Sequence, residues 1–529
     1  MISASSTVIP LVIALLGLLA ILWYRNAQRY LAPLPPGPKA YPLIGNIFDL
    51  PQSQPWSAFK KWADTYGSIV HVSAFGQHIV VLNDAQYATE MLDKKSRIYS
   101  GRPKLMMAGR LVGWDESPAL SQFGETRWSE YRRLLNQFMG TRGKIEPFYD
   151  ILQQEADAYL ENILNDPQNW LKYTRRYAGG IVLMLAYGYK ISGSEDDAMV
   201  ELVDEAMDQF SETIAPNAFL VDMFPILQYV PSWVPGAAWK KKVHHYRKTL
   251  QDMLNVPYNW TKSQMAAGTA RPSFVYSQLD TSKLPNLNDE HIIRWVAASI
   301  YSGGADTTVA VIETFFMAMV LQRSAQSKAQ KEIDTVVGHD RLPTLQDREQ
   351  MPYVEALLQE IMRVYTITPL GLPHLVSEND THHGYFIPKG STILTNNMML
   401  YNDPKVYPEP EKFSPERFLS SEGNSKQKDP REYLFGFGRR VCPGVHLADP
   451  SVWLACASVL AAFDISPGVK DGATVMPSGN FMDGIIRQVA CFRFEFLSGD
   501  VFTFPSHPEQ FECNITPRNA SVLALLQKF

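Results

Sequence analysis

The residues best suited to chemistry form one run, Phe435-Gly436-Phe437-Gly438-Arg439-Arg440-Val441-Cys442-Pro443-Gly444. It fits the pattern Phe-x-x-Gly-x-Arg-x-Cys-x-Gly. With residue frequencies of several per cent, those five fixed positions coincide by chance on the order of once in a million starting points or fewer. A buried lone cysteine is ordinarily inert packing, but the glycines of this run let a loop approach a flat macrocycle closely. The apolar stretch after Gly444 reads as a helix that Cys442 opens. Backbone N–H groups and the helix dipole there favour a thiolate, the form that binds a metal such as iron. Arg440 supplies a fixed cation for a carboxylate of the macrocycle.

A second run, Gly303-Gly304-Ala305-Asp306-Thr307-Thr308, falls inside a long helix expected to open at Asn288, with Leu287 and Ile292 as a hydrophobic staple, and to run past Leu321. Two adjacent glycines weaken a helix by about 1 kcal/mol each relative to alanine. Either they make a close packing contact, or the missing side chains leave room for dioxygen, with Thr307 and Asp306 as an alcohol–acid pair relaying protons. Ser299 lies on the same helical face as Gly303 and Thr307, with Ser302 beside them, so both serines are expected to border a pocket. The alternative is that each hydroxyl bonds the carbonyl four residues back.

The cysteine run resembles that of the cytochromes P-450, and further motifs of that family occur in the same order along nearly the whole chain. Trp128-Ser129-Glu130-Tyr131-Arg132 matches Trp-x-x-x-Arg, Glu360-Ile361-Met362-Arg363 matches Glu-x-x-Arg, and Pro415-Glu416-Arg417-Phe418 matches the segment between that helix and the cysteine loop. The resemblance implies a mainly α fold with small β-sheets, forming a single catalytic domain that holds haem b with Cys442 as axial thiolate. It implies that Trp128, Arg132, His374 and Arg440 reach the propionates, and that Gly303, Gly304, Phe435, Gly438 and Gly444 adjoin the cofactor. Glu360, Arg363 and Arg417 would form a buried structural triad, and Leu370 and Leu372 would help to line the substrate pocket. Without the resemblance, His374 reads as a surface histidine and Glu-x-x-Arg as a common surface pair. The implied reaction is monooxygenation: one oxygen atom enters an apolar small molecule and the other leaves as water. Two electrons come from NADPH through a flavoprotein reductase, since the chain carries no flavin or nicotinamide motif. One departure is Pro450, eight residues after Cys442, which should kink the helix there or delay its start.

Other elements must hold these residues in place. An uncharged apolar run at 8–24, followed by Arg25 and Arg29, reads as a retained membrane-spanning helix with the bulk of the chain in the cytosol. This suits a single-pass protein of the endoplasmic reticulum membrane, in contact with lipid. The anchor takes residues 1–30, a proline-rich hinge residues 31–39, and one catalytic body residues 40–529. The sequons at Asn259, Asn514 and Asn519 would stay unused. Residues 69–82 read as a hairpin turning near Gly76 and Gln77, and short strands are expected around 384–394. Residues 219–239, apolar but broken by prolines and followed by three lysines, are either a buried loop or a lip dipping into the bilayer.

A net charge of −5 excludes general attraction to phosphate backbones, so nucleic acid is not an expected partner. Four cysteines without a C-x-x-C pair argue against a disulfide framework or zinc–thiolate site. Details such as Pro35-Pro36-Gly37-Pro38 look most like fungal microsomal members, often active in secondary metabolism. Rival readings are a haem-thiolate isomerase or dehydratase, a peroxygenase, and a non-enzymatic haem-binding sensor or carrier.

Overall fold

A helix that is apolar on every side must be buried on every side, and two such stretches organise the protein. The computed structural model describes residues 32–477 and 511–527, with Gly17, apart from short stretches at 52–53, 192–196, 215–217, 281–286, 421–424 and 471. The expected spanning run at 8–24 and Cys491 lie outside the described residues, Gly17 excepted. The chain divides into two units, the first made of Met1–Pro103, Leu370–Leu400 and Phe437–Arg440, the second of Lys104–Pro369, Tyr401–Gly436 and Val441–Phe529.

The second unit holds the longer helices: α1 (Thr126–Met139), α2 (Tyr149–Asn165), α3 (Trp170–Tyr187), α4 (Ala198–Ile214) and α5 (Trp239–Ala266). They are followed by α6 (Leu287–Leu321), α7 (Arg323–Val336), α8 (Pro352–Val364) and α9 (Val445–Ala462). Helices α6 and α9 are long and apolar enough to cross a membrane, but 78% of each apolar window is buried inside the protein. They are core helices. Helix α6 packs along α3, and α9 packs against α2, α6 and α7 around one continuous hydrophobic core. The expected start of α6 is met within one residue; the staple falls on Leu287, whose side chain lies outside the described residues.

Helix α9 begins at Val445, three residues beyond Cys442, and contains Pro450 in its second turn. The cysteine therefore precedes the helix instead of opening it, and the proline neither delays nor ends it. Residues 219–239 form short turns in which Ile226, Tyr229 and Trp233 are 71%, 70% and 81% exposed. Phe219, Val221 and Ala237 are buried, so the segment joins the core at its ends and is exposed in its middle.

The first unit is built on a four-stranded sheet of order β1-β2-β6-β3, with β1 (Ile69–Ala74), β2 (Gln77–Leu82), β3 (His374–Leu375) and β6 (Thr392–Thr395). A second hairpin joins β4 (Asp380–His382) to β5 (Tyr385–Ile387). Both hairpins turn on two residues of positive φ, Phe75-Gly76 and His383-Gly384, a geometry matched to the twist of the flanking strands. The proline run does not stand free: Pro33 and Pro36 carbonyls accept from the Phe386 and His71 amides at 2.7 and 2.9 Å. A sheet of β7 (Phe463–Lys470), β8 (Ala473–Val475) and β9 (Cys513–Pro517) completes the second unit.

Candidate haem site

In the second unit the cysteine loop is closed by the Cys442 amide donating to the Phe435 carbonyl at 2.7 Å. Burial pushes the Cys442 thiol pKa up, while the Gly444 N–H and the Arg132 guanidinium pull it down. That N–H and that positive charge favour the thiolate form that a metal would stabilise outright. A Cβ on Gly444 would lie 3.8 Å from Cys442 Sγ, so this glycine keeps the sulfur's flank clear without strain. Arg132, on α1, donates to the Val441 carbonyl at 2.8 Å. Trp128, one turn earlier, is buried edge-on to Phe123. Their i, i+4 spacing puts both on one face of α1.

In the first unit three basic groups gather. Arg440 Nε donates to the Ser100 carbonyl at 2.8 Å. Arg102 Nη1 donates to the carbonyls of Leu372 and Pro373 at 3.0 and 2.6 Å. His374 Nδ1 lies 2.8 Å from the Tyr99 carbonyl. Burial, then Arg440, lowers the Arg102 pKa to about 9; burial, then Arg102 and Arg440, lowers that of His374 to about 3. Cations that depress one another invite an anion. His374 is thus a buried strand residue and not the surface histidine its bare context suggests. Gly438, at φ +53, would put a Cβ 2.2 Å from the Leu92 carbonyl oxygen, so only glycine fits there. Its amide donates to the Asp93 carboxylate. Leu370 and Leu372 contribute carbonyls, to Thr395 and Arg102.

On α6 the structure separates the two glycines. A Cβ on Gly304 would meet Val182 Cγ1 of α3 at 2.5 Å, whereas one on Gly303 would meet nothing within 4 Å. Gly304 therefore serves the close crossing of α6 over α3, and of the two glycines only Gly303 faces open space at its missing side chain. Thr307 Oγ1 donates to the Gly303 carbonyl at 2.7 Å, with half-buried Asp306 next to it. Ser302 is buried and Ser299 half-buried, and among the described residues neither hydroxyl is bonded to the carbonyl four residues back. Gly304→Ala is expected to destabilise the protein by about 1–3 kcal/mol through overpacking. Gly303→Ala should leave urea unfolding unchanged or slightly improved. Equal midpoints for the two variants would remove the distinction.

The scaffold beneath the loop is a set of ion pairs. Glu360 Oε2 and Oε1 receive Arg363 Nε and Nη2 at 2.7 and 2.8 Å, and Oε1 also receives Arg417 Nε at 3.1 Å and the Ser414 amide at 2.7 Å. Arg348 and Arg431 each bridge Glu355 on α8 to Asp449 on α9. They line a cavity of about 740 Å³ together with Phe435, Val445 and His446. A wall of charges does not suit an apolar substrate.

The thiol beside the Gly444 N–H and the Arg132 charge, the open space at Gly303 and the anion-seeking basic cluster each fit a haem. Sequence reading missed Arg102. Its local mark is a basic residue directly before Pro103, a position that the proline ring restricts to extended backbone. The Arg348–Asp449 network was also missed, because its members are far apart in sequence.

Residues 35–486 match the family model Cytochrome P450. The chain is 45% identical over 97% of its length to Cytochrome P450 monooxygenase 208 of Postia placenta, covering 96% of that protein. It is 40% identical over 93% of its length to Cytochrome P450 monooxygenase claR of Ampulloclitocybe clavipes, covering 88%. It is also 36% identical over 98% of its length to Cytochrome P450 monooxygenase ppsD of Aspergillus oryzae, covering 95%.

Proposed function

Because the chain belongs to the cytochrome P450 family and is a haem-thiolate monooxygenase, we propose that it oxygenates an apolar small molecule in fungal-type secondary metabolism, with electrons passed from NADPH by a flavoprotein reductase. The haem, when bound, supplies dioxygen activation. Cys442 would hold the iron as a thiolate, its charge supported by the Gly444 N–H and Arg132. Arg440, His374 and Arg102 in the first unit, and Trp128 and Arg132 in the second, are the groups that would take propionates. Ser299 and Ser302 in the second unit, and Leu370 and Leu372 in the first, are the residues that would contact substrate.

The observation that carries oxygenation over isomerisation, dehydration or mere haem carriage is Thr307, back-bonded to the carbonyl of the glycine that borders open space. That bond fixes the hydroxyl's orientation and keeps its lone pairs free to accept a proton from solvent or from Asp306 and pass one on. Thr307→Ala should still bind haem and consume NADPH but release hydrogen peroxide in place of product. Product per NADPH should fall by roughly tenfold, less than the ~10²–10⁴-fold of a fully lost proton donor, because water can substitute. Thr307→Ser should restore it. The measurement compares product, peroxide and NADPH in reconstituted microsomes, with the substrate found by product analysis on fungal extracts. Equal coupling in wild type and Thr307→Ala would rule out the role.

The protein is further proposed to be anchored in the endoplasmic reticulum membrane by residues 8–24, with the catalytic body cytosolic. Exposed Ile226, Tyr229 and Trp233, with Lys240, Lys241 and Lys242 after them, favour a second contact with lipid. Deleting residues 1–30 should give a haem protein released by carbonate. Carbonate-resistant membrane binding of that variant would disprove anchoring by this segment alone and make residues 219–239 the inserting one.

A further inference from the structure

Away from the haem-site residues, the first unit brings two neighbouring histidines onto one carboxylate. His383 Nε2 lies 2.7 Å from Glu90 Oε2, and His382 Nε2 lies 3.4 Å from the same oxygen. The three ligand atoms are all within 4.8 Å of one another. Adjacent strand residues normally point to opposite faces. Here His383 sits at φ +46 in the two-residue turn after β4, and that left-handed backbone brings the second ring to the side of the first. Histidine is among the few residues that tolerate this conformation.

Three features go beyond a chance surface cluster. His382 is 6% exposed, and its Nε2, sealed from solvent, has no hydrogen-bond partner among the described residues. A buried orphan nitrogen facing a carboxylate is costly unless something completes it. Tyr87 packs edge-on to the His382 ring with centroids 5.8 Å apart, which holds that ring in place. Glu90 Oε1 accepts from Gln86 Nε2 at 3.1 Å, which orients the carboxylate as the outer partners of metal ligands do. The nearby Lys95 ammonium is neutralised by Asp380 at 2.7 Å and so does not repel a cation with its full charge. His383 is 44% exposed at its side chain, leaving an entry path.

We propose that Glu90, His382 and His383 form a zinc site with three protein ligands and a fourth position open to water. Two imidazoles and one carboxylate suit zinc or a neighbouring late divalent metal, while magnesium and calcium demand oxygen ligands. The ion clips the helical run 85–94 to the β4–β5 hairpin, elements joined otherwise by a very long stretch of chain, which is where a cross-link constrains the unfolded chain most. Asp93, in the same helical run, holds the Gly438 amide, so the clip steadies a support of the cysteine loop.

The test uses untagged, haem-loaded full-length protein in detergent, stripped with a chelator and titrated with zinc chloride by calorimetry. Wild type is expected to bind one zinc with a dissociation constant in the micromolar range or below, with magnesium not competing. Glu90→Gln and His383→Asn should each weaken it at least about tenfold. Asparagine takes the left-handed turn readily, so His383→Asn should fold, and an unchanged reduced carbonyl spectrum verifies this for both variants. Absence of saturable binding below about 100 µM in wild type, or wild-type affinity retained in both variants, would overturn the site. The latter result would place the zinc elsewhere, for instance at His71 and His78.

Discussion

Cys442→Ala is expected to abolish thiolate ligation, so that the reduced carbonyl complex loses the red-shifted Soret band and monooxygenase turnover drops by more than about 10³-fold. The electron donation that favours O–O cleavage would come from this sulfur. A factor of 10³ corresponds to about 4 kcal/mol in the barrier. No other described cysteine offers a comparable setting: Cys456 is buried in α9, where burial holds its pKa well above the ordinary thiol value, and Cys513 lies in β9 with its pKa pushed up to about 12. Cys456→Ala and Cys513→Ala should leave the carbonyl spectrum unchanged. A thiolate-type spectrum surviving in Cys442→Ala would refute the assignment.

The largest loss of stability is expected at Glu360. Its carboxylate and the Arg363 guanidinium are fully buried, and Arg417 beside them nearly so. Glu360→Gln keeps the shape but leaves two buried guanidinium groups without their counter-charge, a loss of about 3–5 kcal/mol. Arg363→Lys should also destabilise, because a point-charge ammonium cannot make the two parallel bonds to Oε1 and Oε2. Urea unfolding of the haem-loaded protein, followed by the carbonyl signature, gives both values. A loss below about 1 kcal/mol in Glu360→Gln would mean that the surroundings hold the arginines without it.

The parts of this site that could be read from sequence are those whose chemistry is confined to a short run. Cys442 with its glycines, and the Glu360, Arg363 and Arg417 set, could be named because each motif fixes residue types at a spacing that family resemblance interprets. Gly303 and Gly304 could not be told apart. Which of two neighbours meets Val182 depends on the rotation of α6 against α3, a tertiary quantity with no local trace. His374 and Arg102 are similar, since burial in the first unit comes from strands distant in sequence. At Pro450 local propensity leaves a kink or a delayed start open, and the helix runs from Val445 through the proline because the buried surroundings of α9 outweigh one missing hydrogen bond.

The order in which the chain emerges from the ribosome sets a hazard for the first unit. Strand β2 pairs in parallel with β6, Ile79 opposite Thr392 and Leu82 opposite Thr395. At synthesis rates of roughly 5–20 residues per second, about 15–60 s pass between the two strands. Throughout that interval the β1–β2 hairpin exposes an open edge carrying Val80 and Val81, both fully buried once folded. Folding of this unit is thus necessarily late, and a nascent chain stalled before residue 392 should be far more prone to aggregate or to recruit chaperones than one stalled after residue 440.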